Sequence, residues 1–232
     1  MIKVSIHQPN YIPWLGYFRK LIHSDIFVFF DNVQMPGGKS YVYRAGIQIN
    51  KTHHWLSVPL SNKSSFKPIK EIRISDNKWI KNHIKSLDLN YAFSPWRNLI
   101  NDNIEPVLSA EYSLISDLNI NLIKVILDIL DISHVDLLLA SSLILNNSGA
   151  DSIEEILLKL GATTYLTGSG KGTTRHLNLD QMDEVGICTH FISSDFPDYS
   201  QRNNEHIPGL SILDCILNCG PRYTRQILLS NY

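Results

Sequence analysis

Cysteine is scarce in this chain of 232 residues, with only Cys188, Cys215 and Cys219. So few, and an odd number, exclude a disulfide scaffold. Cys215 and Cys219 share one helical face but have no second cysteine or histidine pair at ligand spacing, so no zinc site is expected. His53, His54 and His83 show no ligand pattern either and read as surface histidines. An excess of one charge is also missing. Lys and Arg number 21 against 22 Asp and Glu, a formal net charge of -1. The basic residues are scattered, so no global field draws nucleic acid or an acidic membrane. There is no long uninterrupted hydrophobic run. The longest apolar region, 114–130, is broken by Asp117, Asn119, Asn121, Lys124 and Asp128 and reads as a buried amphipathic helix, not a membrane insertion. Met1 leads straight into a strand-like segment without the apolar stretch of a secretion signal, so a cytoplasmic location is expected.

What is present is an ordinary globular balance, 44% hydrophobic and 19% charged, which allows a real core. Residues 3–7 read as a strand that His7-Gln8-Pro9-Asn10 breaks, since a residue before proline avoids the helical region. Residues 15–23 have helical apolar spacing, and 25–30 form a continuous apolar, aromatic run of the kind buried on both faces of a parallel sheet. Strand, helix, strand makes a βαβ unit. Short strands at 41–44, 47–50, 54–60 and 69–74 suggest a β-rich insertion near 36–75. Helices are expected at 79–90 and from a Ser113 cap through 129. The second half alternates: strand 135–140, helix 153–160, strand 163–166, a glycine-rich loop at 168–172, helix 178–185 and strand 187–192. Helix 212–219 follows, opened by Ser211 with Asp214 as an acidic capping box and closed by Gly220 and Pro221. This order implies an α/β fold, a mainly parallel sheet flanked by helices, in one domain over 1–232.

The segment richest in chemistry is His7-Gln8-Pro9-Asn10-Tyr11-Ile12-Pro13-Trp14-Leu15-Gly16-Tyr17-Phe18. It lies at a strand-to-helix corner, and ligands of parallel α/β sheets bind just beyond the C-terminal strand ends. Trp14 and Tyr17 could stack on a sugar or base, while Phe18 reads as core. Asp31, after the apolar strand, should share the edge with His7 and could form an acid–base couple with it; the bland alternative is a turn-forming Asp-Asn. Gly168-Ser169-Gly170-Lys171-Gly172-Thr173-Thr174-Arg175 follows a strand and could cradle a phosphate through backbone N–H groups, with Lys171 or Arg175 neutralising it. It has neither the Walker nor the dinucleotide spacing.

The string from His7 to Lys20 resembles the opening signature of the WbqC-like protein family. Asp31-Asn32-Val33-Gln34, Arg44, Tyr165-Leu166-Thr167-Gly168, Tyr199-Ser200-Gln201 and the stretch Leu210–Asp214 with Asn218 and Gly220 resemble its later motifs. The similarity departs at Tyr43-Arg44-Ala45, where Asn-Arg-Asn is expected. The resemblance implies a role in O-antigen and other surface polysaccharides; together with the aromatic–polar corner and the glycine-rich loop it points to a transferase that attaches an acyl or aminoacyl group to a nucleotide-activated amino sugar. His7 is then the general base, with an imidazole pKa of roughly 6.5, and Asp31 its partner. Gln8, Asn10, Tyr11, Trp14, Tyr17, Gln34, Arg44, Tyr199 and Gln201 contact substrate, and Gly168, Ser169, Gly170, Lys171 and Arg175 hold phosphate. No cofactor is specified. Two other functions remain open: an ATP-using nucleotidyltransferase or ligase, disfavoured because Trp14-Leu15-Gly16-Tyr17 lacks the two histidines expected there, and a non-catalytic sugar-nucleotide-binding module.

Overall fold

The apolar runs pair into a five-stranded parallel sheet. The structure is a computed structural model that describes residues 1–61, 66–168, 179–202 and 206–230. In chain order the sheet strands are β1 (Lys3–His7), β2 (Ile26–Phe29), β5 (Asp136–Leu139), β6 (Thr164–Gly168) and β7 (Cys188–Ile192). They lie side by side as β5-β2-β1-β6-β7, each pair parallel. Successive residues Phe27 and Val28 are both fully buried, so the central strands carry apolar groups on both faces, as parallel sheets require. All five strands end at one edge, which therefore carries His7, Phe29, Leu139, Gly168 and Ile192.

Helix α1 (Leu15–Ile22) buries seven of its eight residues, Arg19 and Lys20 among them; only Gly16 is partly open. Arg19 donates to the carbonyls of Ser193, Asp195 and Ile227 and lies 3.7 Å over the Phe196 ring, tying α1 to the segment after β7 and to the last helix. Helices α2 (Lys78–Asn90), α4 (Ile115–Ile129), α5 (Ser152–Lys159) and α6 (Leu179–Glu184) follow the expected pattern, with a short α3 (Glu105–Leu108) between. The N-cap of α4 is Leu114, one residue past Ser113, and it offers no side-chain cap. No described helix is long and apolar enough to cross a membrane.

The insertion holds one antiparallel hairpin, β3 (Arg44–Ile49) and β4 (Thr52–Ser57). Its two-residue turn, Asn50 and Lys51, has φ of 46° and 65°, the pair of positive values that matches the twist of a tight hairpin. The strand expected at 69–74 is instead a 3-10 turn at Ile69–Glu71 flanked by single bridges. The chain end also differs from expectation. Helix α7 (Ile212–Cys219) stops at Gly220, with φ of 89°, but Pro221 opens a further helix, α8 (Pro221–Leu229). A proline ends a helix from inside and begins one at its first position, where its missing N–H costs nothing.

Candidate functional site

The corner after β1 is built on two buried props. Asn119 of α4 donates to the carbonyls of Pro9 and Val42 at 2.9 and 2.7 Å, fixing the chain on both sides of the corner. The Tyr17 hydroxyl donates to the Gln8 carbonyl and faces the Asn10 N–H. On this base sits His7, half-buried, with its ring edge-to-face on Tyr17 at 4.8 Å and on Trp14 at 5.9 Å. Its Nδ1 lies 3.2 Å from the Gln8 carbonyl. A carbonyl only accepts, so Nδ1 carries the proton and the Nε2 lone pair is left with no described partner. Burial, and then the nearby Lys20 charge, hold this imidazole well below its ordinary 6.5, against the weaker pull of the Gln8 carbonyl. His7 is neutral throughout the physiological range, not half-titrated as an unperturbed ring would be.

From Trp14 an aromatic row runs out over the insertion. Trp14 meets Tyr41 at 4.8 Å and Tyr41 meets Trp55 at 5.5 Å. Tyr41 and Trp55 are each 39% exposed, enough to offer a ring face or edge to a ligand. The Arg44 guanidinium lies 3.9 Å over Trp55 and donates to the Lys39 carbonyl. Its Nε is buried and without a partner among the described residues. Trp14 also lines a cleft of about 510 Å³ together with Asp195, Phe196, Tyr199 and His206. Neither Tyr41 nor Trp55 stood out in the sequence. The available signal was Gly46, which pairs with Trp55: a glycine inside a strand marks a close approach, made here by the ring of His53, itself 4.3 Å from Trp55.

Several expected site residues have other roles. Asp31 reaches the same edge as His7 but turns toward β5, where its two carboxylate oxygens accept from the Ser141 N–H at 2.9 Å and the Ser141 hydroxyl at 2.5 Å. It makes no hydrogen bond to His7; the strand order puts β5 on the far side of β2 from β1, so an Asp that caps the β5 turn faces away from the corner. Tyr11 is 1% exposed, with its hydroxyl 2.9 Å from His83 Nδ1, and is a core residue. His83 is correspondingly buried, not a surface histidine. Tyr17 and Asn10 are buried, the Tyr17 ring against that of His7. Gln201 spends its amide on both backbone groups of Ile207, clamping a loop. The Tyr199 hydroxyl donates to Asp214. Asp214 does not complete a capping box: Ser211 caps α7 by accepting from Leu213, while the Asp214 carboxyl takes hydroxyls from Tyr91 and Tyr199. Gln34 is exposed beside Pro68. Gly168 ends β6 at the same level as His7. Ser169, Gly170, Lys171 and Arg175 lie outside the described residues.

Comparison with known proteins gives a consistent result. The sequence model of a family described as "WbqC-like protein family" matches residues 8–226. The uncharacterized protein Rv1507c of Mycobacterium tuberculosis (strain ATCC 25618 / H37Rv) is 31% identical over 237 residues, covering 97% of this chain and 100% of that protein. No solved structure matches.

Proposed function

The chain belongs to the WbqC-like protein family, and on that premise we propose that it is an enzyme of surface-polysaccharide (O-antigen) biosynthesis that transfers an acyl or aminoacyl group to the amine of a nucleotide-activated amino sugar. The observation that carries this reading is the open Nε2 of His7 at the head of the half-exposed row Trp14–Tyr41–Trp55. An aromatic row of this kind suits the flat faces of a base and a sugar. The sugar amine attacks the acyl carbonyl, a C–N bond forms, and the bond from the acyl carbon to its leaving group breaks. The proton leaves the amine for Nε2 and passes to the leaving group. A depressed imidazole pKa makes the imidazolium a readier proton donor to the leaving group. Arg44 holds the nucleotide end, and the residues after Gly168 receive its phosphates.

Calorimetry with uridine-, guanosine- and thymidine-diphosphate amino sugars and with ATP tests the substrate class. A nucleotide sugar should bind, and Trp14→Ala should weaken it. His7→Gln should keep most of that affinity and lose turnover by about 10²–10⁴-fold. A stable His7→Gln protein with full turnover would remove His7 from the mechanism. One observation favours a second reading, an ATP-using nucleotidyltransferase: the strand order reverses between β1 and β6, the kind of switch point at which doubly wound sheets bind nucleotides. ATP-selective binding would establish it. Nucleotide-sugar binding without any turnover would instead mark a binding module.

A further inference from the structure

Strands β1 and β6 part company before they end. Their pairing covers Lys3–Thr164 and Val4–Tyr165, although β1 continues to His7 and β6 to Gly168. The other parallel pairs hold register nearly to their ends: β1 with β2 to His7–Phe29, β6 with β7 to Gly168–Ile192. This parting is the crevice of a doubly wound sheet, located where consecutive connections leave in opposite directions. A side chain occupies it. Lys20, reaching from α1, donates from Nζ to the Ile6 carbonyl at 3.0 Å, an acceptor that faces the opened side of β1. Lys20 is 6% exposed, and this carbonyl is the one acceptor the described residues offer an ammonium with three donors. No described carboxylate pairs with it.

We infer that the Lys20 amine is an anion-binding group of this crevice, and that a phosphate or carboxylate of the ligand enters between β1 and β6, past His7 and Gly168, to meet it. A buried cation that lacks a carboxylate is costly, and an anionic ligand is the missing partner. The mouth of the crevice is flanked by His7 on β1 and Gly168 on β6, the ends of the two parted strands. Burial pushes the amine down to about 7, so the empty crevice holds a mixture of amine and ammonium at neutral pH, and an arriving anion draws the remaining proton on. The titratable groups around the amine are few. His7 faces it from β1 and Tyr17 lies one helical turn back on α1. The residues of β2 and β6 in phase with Ser5 and His7 are Phe27, Phe29, Leu166 and Gly168, none of them ionisable. The last helix meets α1 through Arg19 and His23, which bond its Ile227 and Leu228 carbonyls.

The inference rests on reading this edge as the ligand site, but its test does not depend on the sugar. Sulfate, a fully ionised stand-in for a phosphate group, and malonate are titrated into the full chain just above neutral pH, in two buffers of different ionisation enthalpy. Binding of one of them should be coupled to uptake of most of one proton, and which one binds identifies the anion. Lys20→Met should bind it about 10- to 100-fold more weakly and take up no proton. Lys20→Arg should keep the binding and lose the uptake, because a guanidinium stays charged. If Lys20 only plugs the parted ladder, Lys20→Met lowers the melting temperature while affinity and uptake stay as in the parent, and the inference falls. It falls also if neither anion binds, or if uptake persists in Lys20→Arg, which decides the matter even where Lys20→Met does not fold. Proton-coupled sulfate binding in a protein that ignores every nucleotide sugar would leave Lys20 its role and sink the substrate assignment.

Discussion

Around Asp214, Tyr91 and Tyr199 donate to the two carboxyl oxygens at 2.6 and 2.7 Å, and Asn218 donates to the backbone carbonyl. Around His7, the same kinds of group are joined in a chain that stops short: Tyr17 to the Gln8 carbonyl, that carbonyl to Nδ1, and then Nε2 with nothing described beyond it. Two histidine–tyrosine pairs repeat the contrast. His83 is buried with its Nδ1 against the Tyr11 hydroxyl, whereas half-buried His7 spends its Nδ1 on a neighbouring backbone carbonyl and keeps Nε2 in hand. A polar cluster closed on itself holds the fold together, and one that leaves an atom over at a sheet edge is available to a ligand. Residue type does not separate them; the count of satisfied atoms does.

The sharpest way to break this contrast is at its closed end. Asp214→Leu removes two hydrogen bonds to a carboxyl and strands two buried hydroxyls, which should cost about 3 kcal/mol or more in urea unfolding, with Tyr91→Phe or Tyr199→Phe each costing less. A loss within experimental error would mean that the Asp214 cluster is not structural. The histidines supply the next test, through pH. Burial holds His83 at about 4 against an ordinary 6.5, so between those values the unfolded chain binds a proton that the folded chain refuses. Its contribution is fully present above pH 6.5 and is lost as pH falls toward 4, amounting to up to about 3 kcal/mol. A His83→Gln variant should therefore lose less stability than the parent between neutral and acid pH. Parallel curves for the two proteins would show that His83 does not titrate this way. The smallest effect is expected at Asp31→Asn, which keeps an acceptor for Ser141 but gives up the charge. It should cost about 1 kcal/mol and leave turnover unchanged. A drop in turnover matching His7→Gln would show that Asp31 works with His7 after all, and that the distinction between closed and open groups fails at this edge.

Much of the fold was legible because its signals are local. The apolar run at 25–30, the helical spacing at 15–23 and 114–130, and the alternation after 135 each depend on residues near one another in the chain, and the parallel sheet follows from them. The insertion was half legible. Its hairpin sits where β-rich segments were expected, but Ile69–Glu71 curls into a 3-10 turn because its backbone partners, Val33 and Asp31, lie in another part of the chain. The last helix was missed because Pro221 was read as a stop when it is a start. At the candidate site, the places of His7 and Gly168 at strand ends and of Trp14 at the start of α1 were legible in the sequence. Tyr11, Tyr17, Gln201 and Asp31 were assigned to ligand because burial and partners cannot be read from residue type. Tyr41, Trp55 and Lys20 were given no part in it, since their neighbours are distant in sequence.

The amino-acid sequence by itself determined the parallel α/β architecture and the edge at which polar and aromatic groups collect, because periodicity, proline and glycine act over a few residues, and the string His7–Lys20 carried the resemblance to the family. Only the tertiary structure decided which of those groups are used up. Asp31 turns to Ser141, Tyr11 to His83 and Tyr199 to Asp214, while His7 keeps a lone pair and Lys20 is drawn into the gap between β1 and β6. The reason is physical: a buried polar atom must find a partner, and the partners here stand between 14 and 110 positions away along the chain, where only packing brings them together.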